Sequence, residues 1–205
     1  MVIYELETCP SCRIVREAVS MLSLTVTYLP CPKDGREYRK PFKEQYGEKA
    51  TFPFMEDPNT GARMFETDQI IEYLFKTYSI DRKIPWTLSS SNPWVPISAK
   101  AGLLFRGGGG SWKPAVLPRL PLTLWSYEGS PFCKLVREKL SELEIVHTQI
   151  SCPRGSPNRQ RLFEEQGFFQ VPFLQDPNTG VDLFESEAII EYLEKQYQIP
   201  ETNVK

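Results

Sequence analysis

Residues 1–22 read MVIYELETCPSCRIVREAVSML, and the order of residue types within them decides the fold. A β-rich run, Val2 to Leu6, leads into Cys9-Pro10-Ser11-Cys12. A helical stretch follows on which Cys12, Val15, Ala18, Val19 and Leu22 share one face. A second strand at Thr25 to Leu29 completes a βαβ unit, and a polar helical stretch is predicted near Glu37 to Tyr46. Then comes a hairpin: Phe54 to Asp57, a Pro-Asn-Thr-Gly turn, and Ala62 to Phe65. Pro58 presets one turn angle and Gly61 takes the positive φ that closes the loop. The last helix is predicted to start at Thr67 as N-cap, with Asp68 against its positive end and Ile70, Ile71, Leu74 and Tyr78 on its apolar face. A parallel βαβ unit followed by an antiparallel hairpin gives a four-stranded mixed sheet with flanking helices, so the class is α/β.

The same signals then recur. TCPSCRIVRE matches GSPFCKLVRE at a shift of 121 residues, placing Cys12 on Cys133, Arg16 on Arg137 and Cys31-Pro32 on Cys152-Pro153. FPFMEDPNTG matches VPFLQDPNTG, and FETDQIIEYL matches FESEAIIEYL, at a shift of 119. Matches of this density read as a duplication. The expected organisation is a first domain at 1–81, a Pro/Gly/Trp-containing linker at 82–120 and a second domain at 121–205. The linker holds the run Gly107 to Gly110 and also Trp86, Trp94, Trp112 and an apolar piece from Ile97 to Phe105. Such side chains are costly to expose, so part of it is expected to dock on a domain; an interfacial membrane contact is the competing reading.

Of 205 residues 40% are hydrophobic, enough for ordinary cores. A net charge of −2 with no long basic stretch gives no reason to expect a nucleic-acid partner. The longest apolar run is far short of a membrane span. Five cysteines, an odd number at wide spacings, argue against a secreted disulfide framework and for a reducing intracellular compartment, cytosol or chloroplast. No signal or transit segment is read at the start, where Val2 to Leu6 is already a strand.

Cys9 carries the chemistry. Just ahead of a helix it meets unpaired N–H groups and the positive end of the helix dipole, which favour the thiolate. Pro10 suits the first helical position, and Arg13 and Arg16 add positive charge that Glu7 and Glu17 partly cancel. Cys9 is therefore expected to be acidic and accessible, with the more buried Cys12 as resolving thiol. Two plain core cysteines, a zinc site or a [2Fe–2S] cluster compete with this reading, although no second C-x-x-C completes a four-sulfur set. The dipeptides Phe52-Pro53 and Val171-Pro172 precede each hairpin, either as simple strand starts or as cis bonds that turn backbone polar groups toward the thiol site. Glu66-Thr67 and Glu185-Ser186 precede each last helix, where a carboxylate, a hydroxyl and free N–H groups suit a zwitterionic amino-acid end as well as plain capping. Cys31 lies where a third redox thiol or a small strand-end residue would sit, and His147, on a strand, is not expected to act as a base.

C-x-x-C after the first strand of a βαβ unit reads as thioredoxin-like. These motifs together resemble the glutathione-binding N-terminal domain of glutathione transferases and, more distantly, glutaredoxins. The layout looks like the tandem proteins of this kind in plants and algae. The resemblance implies two tandem thioredoxin-like domains and glutathione as co-substrate, with no metal. Cys9 is then the catalytic thiol, while Phe52 and Pro53 hold the cysteinyl part of glutathione and Glu66 and Thr67 its γ-glutamyl end. Val171, Pro172, Glu185 and Ser186 do the same in the second domain. There Ser130 replaces Cys9, able to donate a hydrogen bond to a glutathione thiolate but not to form a mixed disulfide, and Cys133 lacks a partner. No counterpart of the helical domain that forms the transferases' electrophile pocket is read in these residues, so conjugation of hydrophobic electrophiles is not expected. A glutathione-dependent thiol–disulfide oxidoreductase acting on glutathionylated or disulfide substrates is the leading reading; a non-catalytic glutathione-binding or redox-sensing scaffold and a transferase relying on Ser130 are the alternatives. An intramolecular pseudo-dimer would suit the duplication.

Overall fold

The computed structural model describes residues 1–89 and 111–200. Trp94, the piece Ile97 to Phe105 and the glycine run fall outside them. The N-terminal half contains β1 (Val2–Glu5), α1 (Pro10–Met21), β2 (Thr25–Pro30), α2 (Arg39–Tyr46), β3 (Phe54–Asp57), β4 (Ala62–Met64) and α3 (Thr67–Tyr78), then a 3-10 turn at Trp86–Leu88. The C-terminal half contains β5 (Leu122–Ser126), α4 (Pro131–Glu142), β6 (His147–Ser151), α5 (Pro157–Gln166), β7 (Phe173–Asp176), β8 (Val181–Phe184) and α6 (Ser186–Tyr197).

The strands form one eight-stranded sheet in the order β4-β3-β1-β2-β6-β5-β7-β8. Within each set of four, the first two strands are parallel and the hairpin strands antiparallel. The two sets are not separate sheets, because β2 pairs antiparallel with β6, with Thr25 opposite Ile150 and Tyr28 opposite His147. Each of these strands would otherwise be an open edge with unpaired backbone groups, so the junction satisfies both. Across it the hydroxyls of Thr27 and Thr148 lie 3.1 Å apart.

One core packs Val15, Ala18 and Val19 of α1 and Ile70, Ile71 and Leu74 of α3 with Ile3, Val26 and Met55 of the sheet. The other packs Val136, Leu140, Ile189 and Leu193 with Leu122, Leu124 and Leu174. Asp57 ties each feature of the first hairpin to α3. It accepts the N–H of Asn59 at 3.0 Å in the turn, the hydroxyl of Tyr73 at 2.6 Å and that of Tyr78. Asp176 repeats this with Asn178, Tyr192 and Tyr197. Burial opposes the charge on both aspartates, but the two tyrosine hydroxyls and the turn asparagine together outweigh it and hold both carboxyls below their ordinary range.

A second junction is ionic. Arg16 and Arg137, on the inner faces of α1 and α4, are buried, together with Glu5, Glu7 and Glu128. Arg16 Nε donates to Glu128 at 2.9 Å and Arg16 Nη1 donates to Glu5. Arg137 donates to both oxygens of Glu7 at 3.1 Å and lies 2.8 Å from Glu128. Each guanidinium thus holds a carboxylate of the other half. Charges this deep are tolerated only when paired and hydrogen-bonded.

Two local expectations need correction. Thr67 and Ser186 are the first helical residues rather than N-caps. The caps are Glu66 (φ 59) and Glu185 (φ 69), whose left-handed backbone keeps both side chains from bonding the helix end. The polar helix starts at Arg39, because the chain from Cys31 to Tyr38 is taken up by a loop. Arg16 does supply positive charge near Cys9, as expected, but it does so from a buried ion-pair cluster. From the expected linker, Trp112 docks: its N–H donates to Lys33 O at 3.0 Å and Arg36 stacks on its ring at 4.1 Å. Trp86 is 64% exposed.

Candidate functional site

Strand β1 delivers the chain to a turn in which Cys9 N–H donates to Leu6 O at 3.0 Å. Cys9 then adopts an extended backbone (φ −77, ψ 123) and becomes the N-cap of α1, with Pro10 at the first helical position. Its Sγ accepts the N–H of Cys12 at 3.3 Å, taking the place of a serine or aspartate cap. Cys9 is half-buried and Cys12 buried.

The Cys9 thiol is pulled down from its usual range to about 6. The hydrogen bond from the Cys12 side chain is the main cause; burial opposes it, and the N–H groups of Cys12 and Ser11 and the charge on Arg16 reinforce it. Cys12 moves the other way, pushed well up by burial, by that same hydrogen bond and by the neighbouring Cys9 and Glu5 charges. The pair is therefore one thiolate and one thiol near neutrality, the division of labour that an attacking and a resolving sulfur need.

The Phe52–Pro53 peptide is cis, and Phe52 O faces Cys9 Sγ at 3.8 Å. Pairing of Tyr4 with Phe54 and of Met55 with Met64 puts the start of β3 and the end of β4 at the same edge as the end of β1. The rings of Phe54 and Phe65 are 4.5 Å apart there, so Phe52-Pro53 and Glu66-Thr67 are neighbours across the hairpin mouth. Glu66 is exposed, and the first turn of α3 receives no side-chain cap from it. Open N–H groups, a hydroxyl, a carboxylate, a backbone carbonyl and a thiolate therefore line one end of the sheet. That set matches an extended peptide bearing a thiol and a zwitterionic end.

The family model described as glutathione S-transferase, N-terminal domain, matches this chain twice, over residues 3–83 and 124–201. The chain belongs to that family. It is also similar to the glutathione S-transferase-like protein tpcF of Aspergillus fumigatus, 32% identical over 77 residues. That match spans 38% of this chain and 34% of the relative's length. A solved structure titled as Leishmania TDR1, a unique trimeric glutathione transferase, aligns over 100% of this chain and 68% of its own at 13% identity, with a TM-score of 0.35.

Within this glutathione S-transferase N-terminal domain protein, the second half repeats the scaffold with other chemistry. Ser130 caps α4, its Oγ accepting the N–H of Cys133 at 3.3 Å, and Val171–Pro172 is cis. Phe173 stacks on Phe184 at 4.2 Å, which brings Val171-Pro172 beside Glu185-Ser186. Glu185 accepts from Gln170, and Ser186 is buried. Ser130 is only 4% exposed, so its hydroxyl serves the helix end and is screened from solvent. Burial pushes the Cys133 thiol up. Cys31 and Cys152 are fully buried, their thiols donating to Leu29 O and Ser126 O, and burial raises both, Cys152 to about 12. Burial likewise holds His147 down at about 4, which keeps its ring neutral.

Sequence reasoning missed Arg39 and Lys43, which lie 5.4 and 5.9 Å from the Phe52 ring centre. It also missed Glu128, and took Glu7 only as a partial cancellation of the charge near Cys9, although the two match at the same 121-residue shift as the two arginines. Retention of both charges in both halves was the available signal. Among the described residues no group of three His, Cys, Asp or Glu side chains is placed to hold a metal, and no helix is long and apolar enough to cross a membrane.

Proposed function

We propose that this chain is a glutathione-dependent thiol–disulfide oxidoreductase in which Cys9 is the nucleophile. The carrying observation is the Cys9 sulfur at the start of α1, accepting the N–H of Cys12 at 3.3 Å and lying 3.8 Å from the Phe52 carbonyl. The thiolate attacks the glutathione sulfur of a glutathionylated substrate. A Cys9–glutathione disulfide forms, and the substrate thiolate leaves and takes a proton from water. A second glutathione thiolate then attacks that disulfide, releasing oxidised glutathione and regenerating Cys9, so glutathione supplies both electrons. Cys12 offers an alternative exit: it attacks Cys9 and expels glutathione, which takes the Cys12 proton, leaving a Cys9–Cys12 disulfide that two further glutathiones reduce to the dithiol as they become oxidised glutathione. Phe52 and Pro53 hold the cysteinyl backbone of glutathione. Glu66 takes the γ-glutamyl ammonium, and Thr67 with the open N–H groups of α3 takes its carboxylate.

In this reading the chain is a duplication, with domains at 1–81 and 121–205 joined by a linker at 82–120. The two pack as an intramolecular pseudo-dimer, of the type found in plants and algae and working in a reducing compartment such as cytosol or chloroplast. Val171, Pro172, Glu185 and Ser186 line a second glutathione site with little redox turnover. The 4% exposure of Ser130 favours such a holding or interface role over a transferase using that hydroxyl. The test is reduction of a small glutathionyl mixed disulfide by glutathione, with Cys9→Ser and Cys12→Ser beside wild type. Wild-type turnover no faster than Cys9→Ser removes the oxidoreductase reading.

A further inference from the structure

A carboxylate of the C-terminal half sits inside the loop that begins one wall of the Cys9 groove. Glu144, between α4 and β6, has a left-handed backbone (φ 52) and is 2% exposed. Its Oε2 accepts the N–H of Arg36 at 2.9 Å, both oxygens accept that of Glu37 at 3.2 Å, and Oε1 accepts that of Tyr38 at 3.3 Å. Three successive N–H groups just ahead of α2 therefore share one acceptor, supplied from the other half. Gly35 makes the room, since a Cβ there would lie 2.6 Å from Glu144 Oε1.

The arrangement is one-sided. Helix α5 caps itself, Ser156 Oγ accepting the N–H of Asn158 at 3.2 Å, whereas Tyr38 gives α2 no side-chain cap. The residue matching Glu144 at the 121-residue shift is Ser23, also left-handed (φ 53), which offers α5 only its carbonyl, at 3.1 Å from Asn158 Nδ2. The added carboxylate serves the half that holds Cys9.

What it anchors leads to the thiol. One turn of α2 carries Arg39, whose Nη1 donates to Cys31 O at 3.0 Å, and Phe42, whose ring lies 4.9 Å from that of Phe52. On the same helix Lys43 Nζ donates to Glu48 O at 2.6 Å and to Ala50 O, pinning the segment that enters Phe52-Pro53. Phe52 in turn presents its carbonyl to Cys9.

We propose that Glu144 is a positioning residue for glutathione at the Cys9 site, fixing the start of α2 and through it the Phe52 backbone. The inference rests on the glutathione reading above. Glu144 touches neither the sulfur nor the peptide, so its effect falls on binding and leaves the nucleophile's acidity alone. In the full chain, reduction of a glutathionyl mixed disulfide is followed for Glu144→Gln, Gly35→Ala and the double variant. Ser156→Ala, which removes the cap of α5, controls for loss of a helix cap as such. KM for the glutathionyl disulfide should rise roughly five- to tenfold in each single variant, with kcat within about twofold. The double variant should be no worse than the worse single, since both break one contact. Ser156→Ala should keep the wild-type KM, and the pH midpoint of Cys9 alkylation should stay in place throughout. An unchanged KM in Glu144→Gln, or an equal rise in Ser156→Ala, overturns the inference. Should Glu144→Gln fail to fold, Gly35→Ala decides by the same criterion. Wild type inactive with glutathione would fell the parent reading, and this inference with it.

Discussion

The turns ahead of α1 and α4 are nearly the same object built around different atoms. Cys9 (φ −77, ψ 123) and Ser130 (φ −90, ψ 119) both cap their helices, both are followed by proline, and both accept the N–H three residues on at 3.3 Å. The helix-end field is therefore duplicated. Only at Cys9 does it act on a group that titrates near neutrality and on one that water reaches. A serine hydroxyl in the same field remains a cap. The fold supplies the polarising environment; the side chain and its exposure decide whether that environment becomes chemistry.

The largest effect should come from removing the one atom that differs. Cys9→Ser is expected to slow mixed-disulfide reduction by more than about a thousandfold, or ~4 kcal/mol in the barrier, measured under single-turnover conditions. The reverse exchange, Ser130→Cys, should not build a second reactive thiol. Mass spectrometry should find the introduced sulfur alkylated at under about a tenth of the Cys9 rate, because burial limits access. Alkylation in the Ser130→Cys variant as fast at the new thiol as at Cys9 would show that the halves differ in the sulfur alone.

The next effect tests the ionic junction. Arg16→Met leaves Glu128, Glu5 and Glu7 short of a partner and is expected to destabilise the chain by about 3–5 kcal/mol in urea unfolding. Arg137→Met should cost less, because Ser126 stands where the N-terminal half has Glu5, so Arg137 balances fewer carboxylates. Equal losses would mean that Glu5 does not weigh on the junction. Glu5 is pushed up to about 7, burial leading and Arg16 opposing. Its folded pKa thus lies above its unfolded one, so its own contribution to stability is present at low pH and is lost as pH rises through about 7.

Smaller still is the thiol-to-thiol hydrogen bond. Cys12→Ala should move the alkylation midpoint of Cys9 upward, toward the ordinary cysteine range, since the Cys12 side chain is the main cause of its acidity. Cys133→Ala should leave that midpoint unchanged. Smallest is the change in what the halves share: Tyr78→Phe and Tyr197→Phe each remove one bond to a turn aspartate and should each cost about 1 kcal/mol.

Much of this was legible in the chain itself. The element order of each half, the two hairpins and the place of Cys9 at a helix start follow from short-range signals: alternation, the Pro-Asn-Thr-Gly turns, and Cys-Pro before an apolar helical face. What local signals do not carry is which edges meet. Nothing in Thr25 to Pro30 or His147 to Ser151 alone says that β2 and β6 pair, and an edge strand reads like any other half-buried strand. The same blindness applies to the partner of Arg16: one dimension shows a cation near Cys9, as it is in three, but not that it is buried against Glu128, 112 positions away. The caps at Glu66 and Glu185 escape by one residue because capping statistics favour Thr and Ser, whereas the left-handed backbone at the glutamates moves the helix start. Glu144 is invisible in one dimension because its partners are backbone N–H groups, which leave no mark in a side-chain pattern.

The acidity of the position 9 sulfur is the central claim, and its rate of alkylation against pH, read peptide by peptide by mass spectrometry, tests it most directly. The thiolate exists above its pKa, so the rate should climb through a midpoint near 6, level off by neutrality, and fall away only on acidification. A midpoint at 8 or above, or a Cys9 that stays unmodified while the chain is folded, would contradict it.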